Sequence, residues 1–167
     1  MKQPALVIIK PDGIVKKLMG NVLTKFAKTD LAIVAIRVVK TSRDIAEEHY
    51  KHLKGRPFFE GVVSYLGGEL HNERKLIAII YYGDDAIKKC RQIAGATNPE
   101  DAKPDSIRGS YGRITTAGIY ENVVHVSSDK KEAEREIKLW FEPAHIAVNL
   151  YPTNTQMVLS CAKKVWA

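Results

Sequence analysis

The sequence predicts an α/β (α+β) fold: a ferredoxin-like, four-stranded antiparallel sheet covered by helices. Four short apolar segments alternate with segments of helical periodicity, in the order β-α-β-α-α-β-α-β-α. The 167 residues contain no internal repeat, low-complexity tract or linker, so we expect a single domain over 1–167. The pattern alone leaves a small parallel α/β fold open as an alternative.

The four predicted strands are short, apolar and partly β-branched, which is typical of buried strands. They cover residues 4–10, 31–40, 75–82 and 122–126. Pro11-Asp12-Gly13 ends the first strand with residues that favour a turn.

The predicted helices carry apolar residues at spacings of three and four. A long stretch with weak periodicity, residues 97–120, is predicted to be a functional or disordered loop. The tail begins irregularly after residue 142 and becomes apolar at Met157, Val158 and Leu159. Leu18, Val22 and Phe26 mark the first predicted helix, and two more are predicted over 43–53 and 58–66. A fourth helix is capped by Asp84 and carries Ala86, Cys90 and Ile93. The fifth covers 129–141.

The composition is that of an ordinary globular protein, with 45% hydrophobic and 27% charged residues. The formal charge of +7 favours an anionic partner, such as a nucleotide, a nucleic acid or a membrane surface. The apolar run over 5–9 is too short for a signal sequence or a membrane span. Cys90 and Cys161 form no C-x-x-C pair, and a buried free thiol at Cys90 indicates a cytoplasmic protein.

Of the five histidines, only His125 lies in an apolar strand. His49, His52, His71 and His145 lie in polar or helical surroundings, which predicts that they are surface residues. An isolated histidine among valines is more often a structural core residue than a catalyst. A catalytic role for His125 therefore needs a second observation.

Glu136 provides that observation. In the helix after His125, Ala133, Ile137 and Trp140 mark the inward stripe, and the spacing of Glu136 puts it on the same stripe. A buried carboxylate needs a partner, and the imidazole of His125 is the partner nearest in the sequence. A carboxylate that accepts the proton of one ring nitrogen leaves a lone pair on the other, which makes the histidine a nucleophile. Glu136 could instead lie at the edge of the stripe and reach water.

A phosphate site in this chain would need individual cations, because the sequence contains neither G-x-x-x-x-G-K-[ST] nor G-x-G-x-x-G. Lys10 ends the first strand, Arg91 follows the third strand, and Arg108 lies in the long loop. Each of these residues alone is more often a solvated surface charge. Phe58 and Phe59 begin a helix, where one could enter the core and the other could stack on a base.

Taken together, these segments resemble the nucleoside diphosphate kinase family. The resemblance covers residues 4–143, most of the chain. Its motifs, in order, are I-K-P-D-G at 9–13, H-Y-K-H-L-K-G-R-P-F-F at 49–59, G-A-T-N-P at 95–99, K-P-D-S-I-R-G at 103–109, N-V-V-H at 122–125, and A-E-R-E-I-K-L-W-F at 133–141.

The resemblance implies ping-pong transfer of a γ-phosphate from a nucleoside triphosphate, such as ATP or GTP, to a nucleoside diphosphate. It implies Mg²⁺ bound mainly through the nucleotide phosphates, and a homo-oligomer, usually a hexamer. His125 would carry the phosphate and Glu136 would hold it, with Ser127 supporting the site. The other residues implied to act in the site are Lys10, Tyr50, Arg91, Thr97, Arg108 and Asn122 at phosphate and sugar, and Phe58 and Val62 at the base.

The chain departs from the family at several positions. Val126 replaces a small residue, and Ser128 stands where Asp is usual, so Asp129 is expected to cap the following helix instead. Insertions are predicted near 67–75 and 110–119, and the tail over 142–167 is divergent.

Two other functions are compatible with parts of this pattern. The same strand order occurs in RNA-recognition domains, but the strands over 31–40 and 122–126 lack the aromatic pairs that such domains use, which argues against nucleic acid as a partner. Intact Lys10, His125 and Glu136 argue against a family member without catalysis, whereas Val126 and Ser128 leave that alternative open.

Overall fold

A computed structural model describes residues 1–157. The main sheet has four strands: β1 (Lys2–Ile9), β2 (Ala32–Lys40), β3 (Lys75–Asp84) and, after the two-stranded ribbon β4–β5, β6 (Val124–Val126). Its spatial order is β2-β3-β1-β6, and every pairing is antiparallel. The ferredoxin-like prediction is therefore confirmed, and the parallel alternative is wrong.

The central strands β1 and β3 pair from Lys2 opposite Asp84 to Ile9 opposite Ile77. Residues 5–9 of β1 and 78–81 of β3 are apolar and buried on both faces of the sheet. The short strand β6 pairs with β1, and Ile8 lies opposite His125. The sheet thus places His125 beside its most buried strand, at an edge where one side of β6 remains accessible.

The helices cover both faces of the sheet. They are α1 (Pro11–Val15), α2 (Met19–Phe26), α3 (Arg43–His49), α4 (Phe59–Gly67), α5 (Ala86–Ala94), α6 (Ile107–Tyr111) and α7 (Lys130–Trp140). One hydrophobic cluster packs α2 and α5 against one face, and a second packs α4 and α7 against the other. The buried free thiol predicted at Cys90 is confirmed in the first cluster.

Two details of the predicted helices are corrected. The segment predicted over 43–53 ends as a helix at His49 and continues as a short 3₁₀ turn, Lys51–Leu53. Asp84 does not cap α5, because strand pairing with Lys2 extends β3 through Asp84. The Asp84 carboxylate instead lies 2.8 Å from the N-terminal ammonium group.

The long segment over 97–120 is more ordered than its weak periodicity suggested. It contains a 3₁₀ turn, Pro99–Asp101, then α6 and the ribbon β4 (Arg113–Ile114) with β5 (Tyr120–Glu121). The tail packs Ile146, Leu150 and Tyr151 on the second cluster. Val158 and Leu159 of the predicted apolar tail lie outside the described residues, as does Cys161. The described helices are all too short or too polar to cross a membrane.

Candidate active site

His125 and Glu136 meet at the end of β6. Nε2 of His125 lies 2.8 Å from Oε1 of Glu136, and Ser127 donates from Oγ to Oε2 at 2.6 Å. Glu136 is 1% exposed on the inward face of α7, as its spacing predicted. Because an ionised carboxylate only accepts, the ring proton of His125 belongs on Nε2, which leaves the lone pair on Nδ1.

The electrostatic surroundings keep the His125 ring neutral. Burial, followed by the nearby cations Lys10 and Arg108, lowers the pKa of His125 well below 6.5. Burial raises the pKa of Glu136, while His49 and the hydrogen bond from Ser127 lower it. The hydrogen bonds from Ser127 and His125 stabilise Glu136 as an ionised carboxylate, which holds a neutral imidazole.

The backbone immediately before His125 is bent sharply. Val123 has a φ of 66°, and Val124 donates its N–H to the carbonyl of Asn122 at 2.7 Å, so Val123 is the centre of a tight γ-turn. A positive φ is strained for a β-branched residue. Gly13 packs against this turn, where an added β-carbon would lie 3.1 Å from Cγ1 of Val123 and 2.8 Å from Cγ2 of Ile9.

Arg108 supports the same turn from the other side. Its Nη2 donates to the carbonyl of Val124 at 3.0 Å, and its Nη1 donates to the carbonyl of Gly95 at 2.8 Å. Arg108 is 7% exposed, and burial lowers its pKa to about 10. The helix α6 that carries Arg108 begins at Ser106, whose Oγ accepts the N–H of Gly109. The guanidinium is thus a fixed, ionised cation next to His125.

Lys10 is the second buried cation of the site. Its Nζ donates to Oδ1 of Asn122 at 2.7 Å, and Nδ2 of Asn122 donates to the carbonyl of Thr97 at 2.7 Å. Burial and then the charge of Arg108 lower the pKa of Lys10 to about 7. An incoming anion would favour the charged form of Lys10, so the group is suited to binding phosphate.

Two residues of this region had no functional signal in the sequence. Tyr65 lies within the helix predicted over 58–66, and Asp12 was expected only in a turn. Tyr65 donates from its hydroxyl to Oδ1 of Asp12 at 2.7 Å and accepts the N–H of Asn122 at 3.1 Å. The ring of Tyr65 also lies 4.6 Å from Nζ of Lys10. Tyr65 and Asp12 therefore help to fix the positions of Lys10 and Asn122.

The predicted site residues surround one cleft of about 820 Å³. Phe58, which is 55% exposed, stands at its mouth, and Phe59 packs against the core. Ile119 and Tyr120 of the ribbon form the opposite wall. Ser127 does not line the cleft; its Oγ donates to Glu136 and accepts the N–H of Leu6 at 3.2 Å. The residues that do line it are Lys10, Tyr50, Phe58, Val62, Arg91, Thr97, Arg108, Asn122, His125 and Glu136.

His49 corrects one prediction. It was expected at the surface, but it is fully buried, and its ring lies edge-on to that of His125 with centroids 4.4 Å apart. The helical spacing around His49 could not indicate that Arg135 would tie the end of α3 to α7. Nη1 and Nη2 of Arg135 donate to the carbonyls of Glu48 and His49 at 3.1 and 2.8 Å.

Val126 and Ser128, the two residues near His125 that depart from the family, both have specific contacts in the structure. Val126 is 4% exposed and pairs with Val7 in the sheet. Ser128 donates from Oγ to Asp129 at 2.7 Å, and the Asp129 side chain accepts the N–H of Glu132. The expectation that Asp129 caps the helix is therefore confirmed.

Comparisons with known proteins identify the family of this chain. The model of the family described as nucleoside diphosphate kinase matches residues 3–146. A nucleoside diphosphate kinase of Pyrococcus furiosus is 42% identical over 141 residues, which cover 84% of this chain and 84% of that protein. One from Methanocaldococcus jannaschii is 34% identical over 146 residues, covering 87% of this chain and 98% of that protein.

Solved structures of nucleoside diphosphate kinases also superpose on this chain. A nucleoside diphosphate kinase from Halobacterium salinarum, in complex with CDP, superposes with a TM-score of 0.77 at 32% identity, covering 87% of this chain and 91% of that one. One from Borrelia burgdorferi, a transition-state mimic with vanadate and ADP, gives 0.77 at 25% identity and covers 93% of each chain. Fold and cleft therefore define a nucleotide-binding phosphotransferase. More narrowly, the chain belongs to the nucleoside diphosphate kinase family, and its function is that of a nucleoside diphosphate kinase.

Proposed function

We propose that this chain performs the kinase reaction in two half-reactions through a phosphohistidine at His125. Nδ1 of His125 attacks the γ-phosphorus of a nucleoside triphosphate, and the bond from that phosphorus to the β-phosphate oxygen breaks. The nucleoside diphosphate leaves, and the β-phosphate of a second one then attacks the phosphohistidine. The observation that carries this proposal is the 2.8 Å contact from Nε2 of His125 to Glu136, which leaves Nδ1 as the nucleophilic nitrogen.

The cations of the cleft would stabilise the transferring group. Phosphoryl transfer depends mainly on positioning and on neutralising charge. Lys10 and Arg108 are buried beside His125, and Arg91 lines the same cleft. We assign Tyr50, Thr97 and Asn122 to phosphate and sugar contacts, as the family resemblance implies.

The base would bind at the mouth of the cleft. Phe58 offers an exposed ring for stacking, with Val62 beside it. Stacking without hydrogen-bond readout tolerates every base, so we propose that ATP, GTP and other nucleoside di- and triphosphates are substrates. The CDP complex of the Halobacterium salinarum relative supports binding of a pyrimidine nucleotide as well.

Mg²⁺ is the divalent cation that we propose for the reaction, where it would neutralise phosphate charge. The residues present fit a cation carried by the nucleotide rather than by the protein. Only two carboxylates line the cleft among residues 1–157, and Glu136 is already engaged by His125 and Ser127. The other, Glu132, is held by Arg135 through Oε2, and its Oε1 would be able to accept a hydrogen bond from a water molecule on the cation.

We propose that the protein is a homo-oligomer, most simply the hexamer that the resemblance implies. The edge strand β2 supports this, because Ile33, Ile36 and Val38 are 49%, 51% and 67% exposed. An apolar edge strand is a ready surface for pairing with another copy. We also propose that the chain, 1–167, is one nucleoside diphosphate kinase-like domain with insertions near 67–75 and 110–119 and a divergent tail over 142–167. We propose the cytoplasm as its location.

Labelling with ATP tests the function directly. Incubation with ATP radiolabelled at the γ-phosphate, without an acceptor, should label the protein with a phosphate that resists alkali and is released by acid. His125→Ala should take up no label. The matched control is His145→Ala, which removes a histidine that does not line the cleft and should label normally. Label on the His125→Ala variant would overturn the proposed carrier.

A further inference from the structure

His49 is fully buried behind the cleft, although the proposed reaction does not use it. It ends α3 and packs its ring against both His125 and Trp140, with centroids 4.4 and 5.8 Å away. A buried histidine must be neutral or paired, so the position of its single proton decides what it can do.

Trp140 determines that position. Its Nε1 lies 3.1 Å from Nδ1 of His49, and an indole nitrogen can only donate. Nδ1 of His49 must therefore hold a lone pair. Burial, together with the charge that His125 can carry, lowers the pKa of His49 well below 6.5, so the ring is neutral. A neutral imidazole has one N–H, and in His49 it must be on Nε2.

The N–H at Nε2 of His49 lies near Glu136, which suggests where it acts. Nε2 is buried and makes no hydrogen bond to the residues that the structure describes. It lies 3.9 Å from Oε1 of Glu136, the oxygen that His125 contacts at 2.8 Å. That separation exceeds a hydrogen bond, but it is an effective electrostatic distance in a dry interior.

A metal site is the competing interpretation of this cluster. Nε2 of His49, Nε2 of His125 and Oε1 of Glu136 all lie within 4.8 Å of one another, which is compatible with cation ligands. A metal would need the lone pair of His49 on Nε2. The proton would then move to Nδ1, where it would face the N–H of Trp140. The hydrogen bond from Trp140 therefore opposes metal binding and favours a donor.

We propose that His49 is a positioning residue, whose Nε2–H keeps Glu136 ionised and directed at His125. Glu136 can then keep the proton of His125 on Nε2 and the lone pair on Nδ1. The activity readouts of this inference rest on the proposed function, whereas the position of the His49 proton does not.

The other groups around Glu136 do not replace His49. Burial raises the pKa of Glu136, and a neutral His49 opposes this through the positive end of its Nε2–H dipole, 3.9 Å from Oε1. The hydrogen bond from Ser127 also lowers the pKa. Arg135 lowers it less, and Glu132 on the same helix raises it. Loss of His49 should therefore allow Glu136 to take up a proton nearer neutral pH.

The first experiment measures the proton on the wild-type enzyme. Long-range ¹H–¹⁵N NMR spectra of histidine-labelled protein identify which ring nitrogen of His49 carries hydrogen. We expect Nε2–H in His49, together with Nε2–H in His125. A proton on Nδ1 of His49 would overturn the proposal whether or not the protein accepts phosphate from ATP. Failure of ATP labelling with Nε2–H present would instead contradict the proposed function.

The second experiment measures the pH profile of single-turnover phosphorylation by ATP. His49→Phe should move the acidic limb upward by about one pH unit, which corresponds to about a tenfold slower rate on that limb. His49→Gln places an amide N–H near the original Nε2 and should restore much of the limb. A purely structural role would lower the rate equally at every pH, and an unshifted limb in a folded His49→Phe enzyme would contradict the proposal.

Trp140→Phe provides an independent variant if His49→Phe does not fold. It keeps an aromatic ring but removes the donor that fixes the proton of His49. We expect mixed His49 tautomers in the NMR spectra and a smaller upward shift of the acidic limb. If the His49 tautomer and the pH profile matched those of the wild type, Trp140 would not determine which ring nitrogen of His49 carries the proton. That result would contradict the proposal.

Discussion

Oε1 of Glu136 lies 2.8 Å from Nε2 of His125, with both groups enclosed between β6 and α7. This contact joins a strand to the helix that follows it, so the ring of His125 is oriented by the fold itself. A charge-assisted hydrogen bond in such surroundings is stronger than a neutral one.

Glu136→Gln tests this contact. The amide keeps the size of the side chain but lacks the charge, so the rate of phosphorylation of His125 by ATP should fall by roughly 10- to 100-fold. Rapid-quench measurement of the first half-reaction gives this rate. Glu134→Gln is the matched control on the same helix, because Glu134 pairs with Lys138 at the surface. An unchanged rate in Glu136→Gln would contradict the proposed orientation.

Lys10 should make nucleotide binding depend on pH. Its pKa of about 7 in the free protein means that it loses its charge as the pH rises above that value. The affinity for ADP, measured by titration calorimetry, should therefore weaken above pH 7, by up to about tenfold per pH unit. Lys10→Met should bind ADP weakly, with a flatter dependence between pH 7 and 9. Equal slopes in the two proteins would exclude Lys10 as the source.

The buried histidines should make stability fall in acid. The pKa values of His49 and His125 are lowered well below 6.5 in the folded protein, so the unfolded chain binds more protons near that pH. The free energy of unfolding should then decrease as the pH falls below 6.5 and level off above it. Urea denaturation between pH 5.5 and 8 measures this slope. His125→Gln should give a shallower slope, and a steeper one would contradict the assignment.

Phe58→Ala should weaken nucleotide binding without destabilising the fold. The ring is 55% exposed, and stacking on a base is worth about 1–3 kcal/mol, so Kd should rise by roughly 5- to 150-fold. ADP, GDP and CDP should be affected alike, since stacking does not read base identity. Leu70→Ala changes another exposed apolar residue, outside the cleft, and should leave all three affinities unchanged. Loss of affinity for one base alone would argue against a stacking platform.

Ile36→Lys tests the β2 edge as the contact between copies. Ile36 and Val38 lie two residues apart and therefore share a face of the strand. A lysine there should lower the molecular mass measured by sedimentation, because burying an unpaired charge opposes association. Leu70→Lys adds the same charge elsewhere and should leave the mass unchanged. An unaltered mass for Ile36→Lys would place the interface on another surface.

The sequence alone determined the order of the four strands of the main sheet and the contact between Glu136 and His125. Apolar runs of limited length predicted the four strands, and the 3.6-residue period put Glu136 on the buried stripe with Ala133 and Trp140. Local patterns can do this because each residue's inward or outward direction follows from its own helix or strand.

The tertiary structure decided which distant residues meet. The sequence predicted His49 at the surface and Asp12 in a turn and indicated no role for Tyr65, since nothing in their local spacing shows which element packs against them. The packing of α3 on α7 buries His49, and the approach of α4 to α1 and to the segment before β6 brings Tyr65 to Asp12 and Asn122. Such contacts join residues far apart in the chain, so periodicity cannot reveal them, and they fix the protons and charges of the site.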